Sequence, residues 1–284
     1  MEFYTTAIIQ GLAFACMGLG IFLTLKIFKI PDITTDGTYT LGGAVTAVML
    51  TNGMSPLLTL VVVIFCGAAG GIATGWIHTR LKINALLAGI LVMTALYSVN
   101  LAIMGRPNIP LIDDKGFSNQ NIYLVVVVLV FIAVFFVIWL LKTDFGIAMR
   151  STGSNPVMAQ ANGVNIVYMK VFGIALANAM TAISGFLMVQ YQGFADINMG
   201  IGIVISGLAA VIIGESLSRI MSYKNIAITI LFVVVGSIVF RVVLAFSLDM
   251  GMNPNYLKLV TAIIVLLIVG LSNQKFNKHL ILLK

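Results

Sequence analysis

The sequence predicts an all-α polytopic membrane protein. It forms a single transmembrane domain over residues 1–284, with about nine crossings, two of them short or broken, and an inverted repeat. Three observations lead there. Of the 284 residues, 60% are hydrophobic and only 9% charged, whereas soluble globular domains carry roughly 25% charged residues. Apolar runs near the roughly 20 residues that cross a bilayer core recur along the chain. Basic side chains gather at alternate ends of those runs.

The first run, residues 4–28, is long enough to span. It has no basic leader or small-residue cleavage site, so it reads as a retained helix rather than a signal peptide. The next stretch, 38–50, is too short for an ordinary crossing and is either a short span or a re-entrant one. Residues 56–77 form a full run. In it Gly67, Gly71 and Gly75 make two Gly-x-x-x-Gly steps on one helix face, where another backbone can approach closely. Runs at 83–104, 122–141 and 167–191 follow. A second short stretch, 199–214, precedes the last two runs at 226–246 and 256–271.

Nine crossings from an outside N-terminus sort the charges by side. Lys26, Lys29, His78, Arg80, Lys82, Lys142, Arg150, Arg219, Lys224, Lys275, Lys278 and Lys284 fall in the cytoplasm, with the C-terminus. Glu2, Asp113, Asp114, Asp196 and Asp249 fall outside, where Arg106, Lys115 and Lys258 are the basic minority. Omitting either short segment alone would scramble this alternation. The two short segments also resemble each other. Residues 36–48 and 196–212 each run from an Asp through glycines and small residues into an Ala-Val stretch, and they cross in opposite directions. Short, Gly-interrupted segments in matching positions of inverted halves point to a transport pathway.

Several chemistries are excluded. The formal charge of +7 is scattered over span ends, so it marks topology and not a nucleic-acid surface. Cys16 and Cys66 both sit within apolar runs and read as small hydrophobes, not a disulfide or metal pair. No phosphate-binding loop, zinc motif or nucleophile elbow occurs, and no cofactor is implied. His78 and His279 lie at span ends, the default place of solvated interface histidines. Charges inside the runs are scarce. The deepest is Arg241, about five residues from the outer end of its span, where snorkelling accounts for it. Ion-coupled carriers bury titratable groups near mid-membrane, so this chain fits energy supplied by another subunit better.

The polar residues nearest the short segments are the pathway candidates. Thr35, Thr38, Tyr39, Thr40 and Gly42 belong to the first, and Asn198 and Ser206 to the second. Asn84 and Asn100 lie on the neighbouring 83–104 run. The start of a broken helix exposes N–H groups suited to a carboxylate. A different polar stretch, 151–165, reads as a short helix in water between two spans. Ser154 or Asn155 caps its start, Pro156 suits its first position, and Gly163 supplies a left-handed exit. A membrane protein carrying such a helix is presenting a grip to a soluble partner.

These residues resemble the permeases of bacterial ABC importers, in the branched-chain amino acid, ribose and nucleoside superfamily. Gly146-Ile-Ala-Met-Arg150 through Asn155-Pro156, Ala159, Ala161 and Gly163-Val-Asn165 looks like that family's cytoplasmic coupling segment, here residues 142–165. Gly207-Leu-Ala-Ala-Val-Ile-Ile-Gly214 matches a later family run. Pro31-Asp32-Ile33-Thr34-Thr35-Asp36-Gly37-Thr38, continuing to Gly42-Gly43-Ala44, is similar to the motif of the tryptophan or tyrosine import subgroup. Where the family often continues with Gly and Ser after Gly214, this chain has Glu215-Ser216-Leu217-Ser218. The resemblance implies a multi-pass permease of the bacterial inner membrane that performs no chemistry itself. It implies a permease homodimer, cytoplasmic ATP-binding subunits and an extracytoplasmic substrate-binding protein. Arg150, Asn155, Pro156, Ala159 and Gly163 then carry the coupling to the ATPase. The substrate expected is an aromatic amino acid. A branched-chain amino acid or nucleoside is the alternative within the class, and a stand-alone ion-coupled carrier the alternative outside it.

Overall fold

A computed structural model describes residues 2–111, 119–221, 225–253 and 256–281. Asp113, Asp114, Lys115, Lys224 and Lys284 of the charge argument lie outside these residues. Helix α1 (Glu2–Phe22) runs into a π-helical turn, Leu23–Ile27. There follow α2 (Thr34–Thr51), α3 (Pro56–Arg80), α4 (Ala85–Met104), strand β1 (Asn108–Pro110) and α5 (Asn119–Lys142). Two short helices, α6 (Asp144–Ser154) and α7 (Pro156–Ala161), lead into α8 (Ile166–Gln192) and strand β2 (Phe194–Asp196). The chain closes with α9 (Ile203–Ile220), α10 (Ile226–Asp249) and α11 (Leu257–Ile281).

Six described helices are long and apolar enough to cross a membrane: Tyr4–Ile27, Pro56–Arg80, Ala85–Met104, Ile122–Lys142, Ile166–Gln192 and Ile226–Asp249. The other three expected segments are helical as well. Helices α2 and α9 have 18 residues each, α2 being the less apolar, and α11 carries a shorter apolar part, Leu257–Ile268. The first short segment is one continuous helix from Thr34, not a broken one. The second starts at Ile203, because residues 199–202 form turns and Gly202 adopts a left-handed φ of 79° that a helix excludes.

Helices α8 and α1 form the centre, with 78% and 72% of their apolar windows inside the bundle. The windows of α3, α4 and α10 are a third buried or less, so their outer faces are a wall of large apolar side chains such as Leu57 and Phe65. Such a wall suits lipid tails and not water. The neighbours repeat in two sets: α8 packs with α2 and α3, while α1 packs with α9 and α10, and α1 and α8 lie against each other. Helix α4 joins the first set and α11 the second.

Small residues bring the backbones together. A Cβ added at Gly67 would lie 2.5 Å from that of Ala182, one at Gly71 2.5 Å from the Ile174 carbonyl oxygen, and one at Gly75 2.9 Å from the Val171 Cα. The glycine row of α3 is thus a close packing seam on α8. One feature departs from the all-α expectation: β1 and β2 pair antiparallel, Asn108 opposite Asp196. The strands are three residues long and follow the left-handed exits Gly105 and Gly193, which stop α4 and α8 and turn both chains sideways.

Candidate transport cavity and coupling segment

The stretch preceding and opening α2 is built around two carboxylates. Asp32 is 5% exposed. Its Oδ1 accepts the Thr34 N–H at 2.9 Å, and its Oδ2 accepts the Asn178 side-chain amide of α8 at 2.7 Å. The Thr38 hydroxyl donates to Oδ1 of Asn178 at 2.7 Å, and the Thr34 hydroxyl meets that of Thr74 on α3 at 2.7 Å. Asp36, 8% exposed, reaches the other half. Its carboxylate accepts the Gly202 and Val204 N–H groups, each at 2.9 Å. Gly202 has no side chain to cap α9, so Asp36 provides the anion at that helix N-terminus. A buried carboxylate is tolerated only when its lone pairs are satisfied, and both networks do this while tying α2 to its neighbours. Beside Arg241, Asp32 and Asp36 are thus further charged groups buried in the bundle. The two aspartates within a small-residue segment were the signal available in the sequence.

Two cavities of about 430 and 280 Å³ share Phe14, Ile203 and Arg241 in their walls. The larger lies among α1, α9, α10 and α11 and includes Gln10, Ser206 and Lys258. The smaller includes Tyr39, Gln192, Asp196 and Asn198. Arg241 places its guanidinium carbon 3.6 Å from the centroid of the Phe14 ring, a cation–π contact, and its Nε is buried without a hydrogen-bond partner. Arg241 is thus partly buried in the cavity wall, with its guanidinium against Phe14.

The expected pathway residues divide among these features. Tyr39, Asn198 and Ser206 line the cavities. Thr35 and Thr40 are buried and donate to the carbonyls of Asp32 and Asp36 within or just before α2, and Thr38, also buried, donates to Asn178. Asn100 donates to the Gly37 carbonyl at 3.1 Å and leaves its Oδ1 unpartnered. Gly42 faces the α8 backbone, where an added Cβ would lie 2.2 Å from the Ala182 carbonyl oxygen. Asn84 caps α4 by accepting the Leu86 N–H, and it lines a third cavity of about 320 Å³ shared with Thr152 and Pro156. That cavity lies beside the coupling segment, apart from the other two.

The stretch expected to be a coupling segment has the local structure read from the sequence. Asn155 accepts the Met158 N–H at 3.1 Å and caps α7, Pro156 takes the first helical position, and Gly163 leaves at a φ of 81°. Ser154, the other expected cap, instead donates to the Ser151 carbonyl. Ala159 is buried, while Val157 and Met158 are 79% and 63% exposed. Arg150 leaves its Nε buried and unpartnered. Gly153 presses α6 onto the end of the π-helical turn, with its Cα face against the Ile27 carbonyl and Phe28. The same turn carries Lys26, which pairs with Glu215 of α9; Arg219 pairs with Glu215 at 2.7 Å. Glu215, where the sequence leaves the family pattern, thus ties the end of α9 to the end of α1.

The sequence profile described as branched-chain amino acid transport system, permease component, matches residues 3–270. A tyrosine transport system permease protein of Clostridioides difficile is 38% identical over 270 residues, covering 94% of this chain and 90% of the relative. An uncharacterized protein of Rickettsia prowazekii is 34% identical over 97% of this chain and 99% of its own length. A galactose/methyl galactoside import permease of Escherichia coli is 26% identical over 78% of this chain and 68% of its own. No solved structure matches the chain. A profile spanning almost the whole chain, together with relatives matched nearly end to end, places this protein in the family of branched-chain amino acid transport system permease components.

Proposed function

We propose that the chain is the membrane subunit of an ATP-driven importer for a small aromatic amino acid, tyrosine or tryptophan. It works by alternating access as a homodimer with separate ATPase subunits and a substrate-binding protein. The observation that carries this reading is the pairing of a whole-length family match with a capped, outward-facing α7 whose Val157 and Met158 are exposed. A soluble ATPase would dock there, and its motion would pass through Gly153 to the end of α1 and through Lys26 and Glu215 to α9. The aromatic substrate is supported by the tyrosine transport relative, which is more alike in sequence than the sugar permeases. Nine crossings, with the coupling segment in the cytoplasm, are supported by the basic residues at that end. The repeated neighbour pattern of α1, α8 and their partners supports the inverted repeat. The passage runs past Tyr39, Asn198 and Ser206 along the two cavities that share Phe14, Ile203 and Arg241 in their walls, and Arg150 positions α6.

The test is reconstitution of the permease, its ATPase and its binding protein in liposomes. Labelled tyrosine should accumulate only when ATP is available to the ATPase, and the permease alone should accumulate none. Accumulation by the permease alone under a sodium or proton gradient would instead establish the ion-coupled alternative.

A further inference from the structure

Two opposite charges face the smaller cavity without meeting. Arg241 of α10 and Asp196 at the end of β2 both line it. Among the described residues, however, the ion pairs are Lys26–Glu215 and Arg219–Glu215. Each charge is held in place by uncharged neighbours. The guanidinium of Arg241 stacks on Phe14, and its Nε has no acceptor. Asp196 Oδ1 accepts the Asn198 N–H at 2.8 Å, Oδ2 accepts the Asn108 amide at 3.4 Å, and the β1–β2 ladder fixes its backbone. The rest of this cavity of about 280 Å³ combines the aromatic and apolar side chains of Tyr39, Met188, Phe194 and Met199 with the amides of Gln192 and Asn198. Arg241 also lines the larger cavity of about 430 Å³.

An arginine stays charged at any accessible pH, and a guanidinium without an anion inside a membrane protein is costly. A carboxylate offers it a bidentate partner. The carboxylate of Asp196 has lone pairs left for an ammonium group. Aromatic rings and thioethers accept a flat apolar side chain. We propose that this cavity is a binding site for a zwitterionic aromatic amino acid. Its carboxylate lies on Arg241, its ammonium on Asp196, and its ring among Phe14, Tyr39 and Phe194. The inference rests on the importer reading above and assigns a head-group reader inside the permease itself. Ligands with a single charge leave one protein charge unanswered, and the site rejects them for that reason.

The experiment uses the purified full-length permease in lipid nanodiscs with labelled L-tyrosine and L-tryptophan. Unlabelled tyramine, which lacks the carboxylate, and 3-(4-hydroxyphenyl)propionate, which lacks the ammonium, serve as competitors. Saturable binding is expected, with each one-charge analogue at least about tenfold weaker than L-tyrosine, a loss of 1.4 kcal/mol or more. Arg241→Met and Asp196→Asn should each weaken binding by about tenfold or more. Arg241→Lys should fall between wild type and Arg241→Met. All three should elute as wild type does in size-exclusion chromatography. The analogue comparison needs no variant, so it holds even where one fails to fold. Absence of saturable binding of either amino acid, analogues as strong as L-tyrosine, or variants that bind as wild type would each overturn the site. ATP-driven uptake by the reconstituted wild type is measured alongside. Amino-acid uptake that survives both substitutions discards the site and keeps the importer, whereas no uptake of any amino acid discards the importer reading.

Discussion

Single residues set the contacts between the halves. Asp36 does more than populate a motif, because its carboxylate replaces the missing cap of α9 across a gap of more than 160 residues in sequence. Asp36→Ala removes the acceptor for two partly buried N–H groups, and Asp32→Ala leaves the Asn178 amide only its bond to the Ile174 carbonyl. Each should lower the stability of the solubilised permease by about 1–3 kcal/mol, read as a fall in its thermal midpoint. An unchanged midpoint would show that water replaces these carboxylates. A second pair of substitutions separates packing from passage. Leucine at Gly42 must push α2 off the Ala182 carbonyl, so Gly42→Leu should fail to yield a monodisperse permease. Ser206→Leu projects into the larger cavity and should fold normally while cutting uptake. If Gly42→Leu folded and Ser206→Leu transported freely, both assignments would be wrong. The sequence offered both residues as equals, because smallness does not say whether a position faces space or a neighbouring backbone.

Among the elements, the proposed coupling segment was the most legible in its local structure. Its cap, its proline and its left-handed glycine are local chemistry, and local chemistry can be read without the fold. The start of α9, the π-helical turn and the β1–β2 ladder were not legible. Each depends on a partner far away in the chain: Asp36 for α9, Gly153 for the turn, and one strand for the other. Gly163→Val tests the segment directly, because a β-branched residue is strained at a φ of 81° although nothing crowds the position. Strain of about 1–2 kcal/mol shifts the exit of α7 and moves Val157 and Met158. The spans should still insert at normal levels, while attachment of the ATPase or its stimulation by substrate is lost. Full transport by this variant would show that the left-handed exit is not needed for coupling.

At the scale of the molecule, the contacts fix which features share an end. Tyr4 donates to Asp249 at 2.9 Å, so the start of α1 and the end of α10 lie together. Lys26 pairs with Glu215, and Gly153 abuts Ile27, so the proposed coupling segment lies at the opposite end of α1. Two orientations in a membrane remain. The proposed one puts Lys26, Lys29, Arg80, Lys82, Lys142 and Arg150, which belong to elements at the end of the proposed coupling segment, in the cytoplasm, following the bias of basic residues. The native cysteines can be removed first, since Cys16 is buried and Cys66 partly buried and neither is paired. A cysteine placed at Asp249 should then react with an impermeant thiol reagent in intact cells. A cysteine placed at Asn155, which is exposed at the start of α7, should react only after the membrane is opened. Labelling of Asn155→Cys in intact cells would turn the molecule over. The cavity that holds Arg241 would then open toward the cytoplasm, and no cytoplasmic ATPase could reach Val157 and Met158.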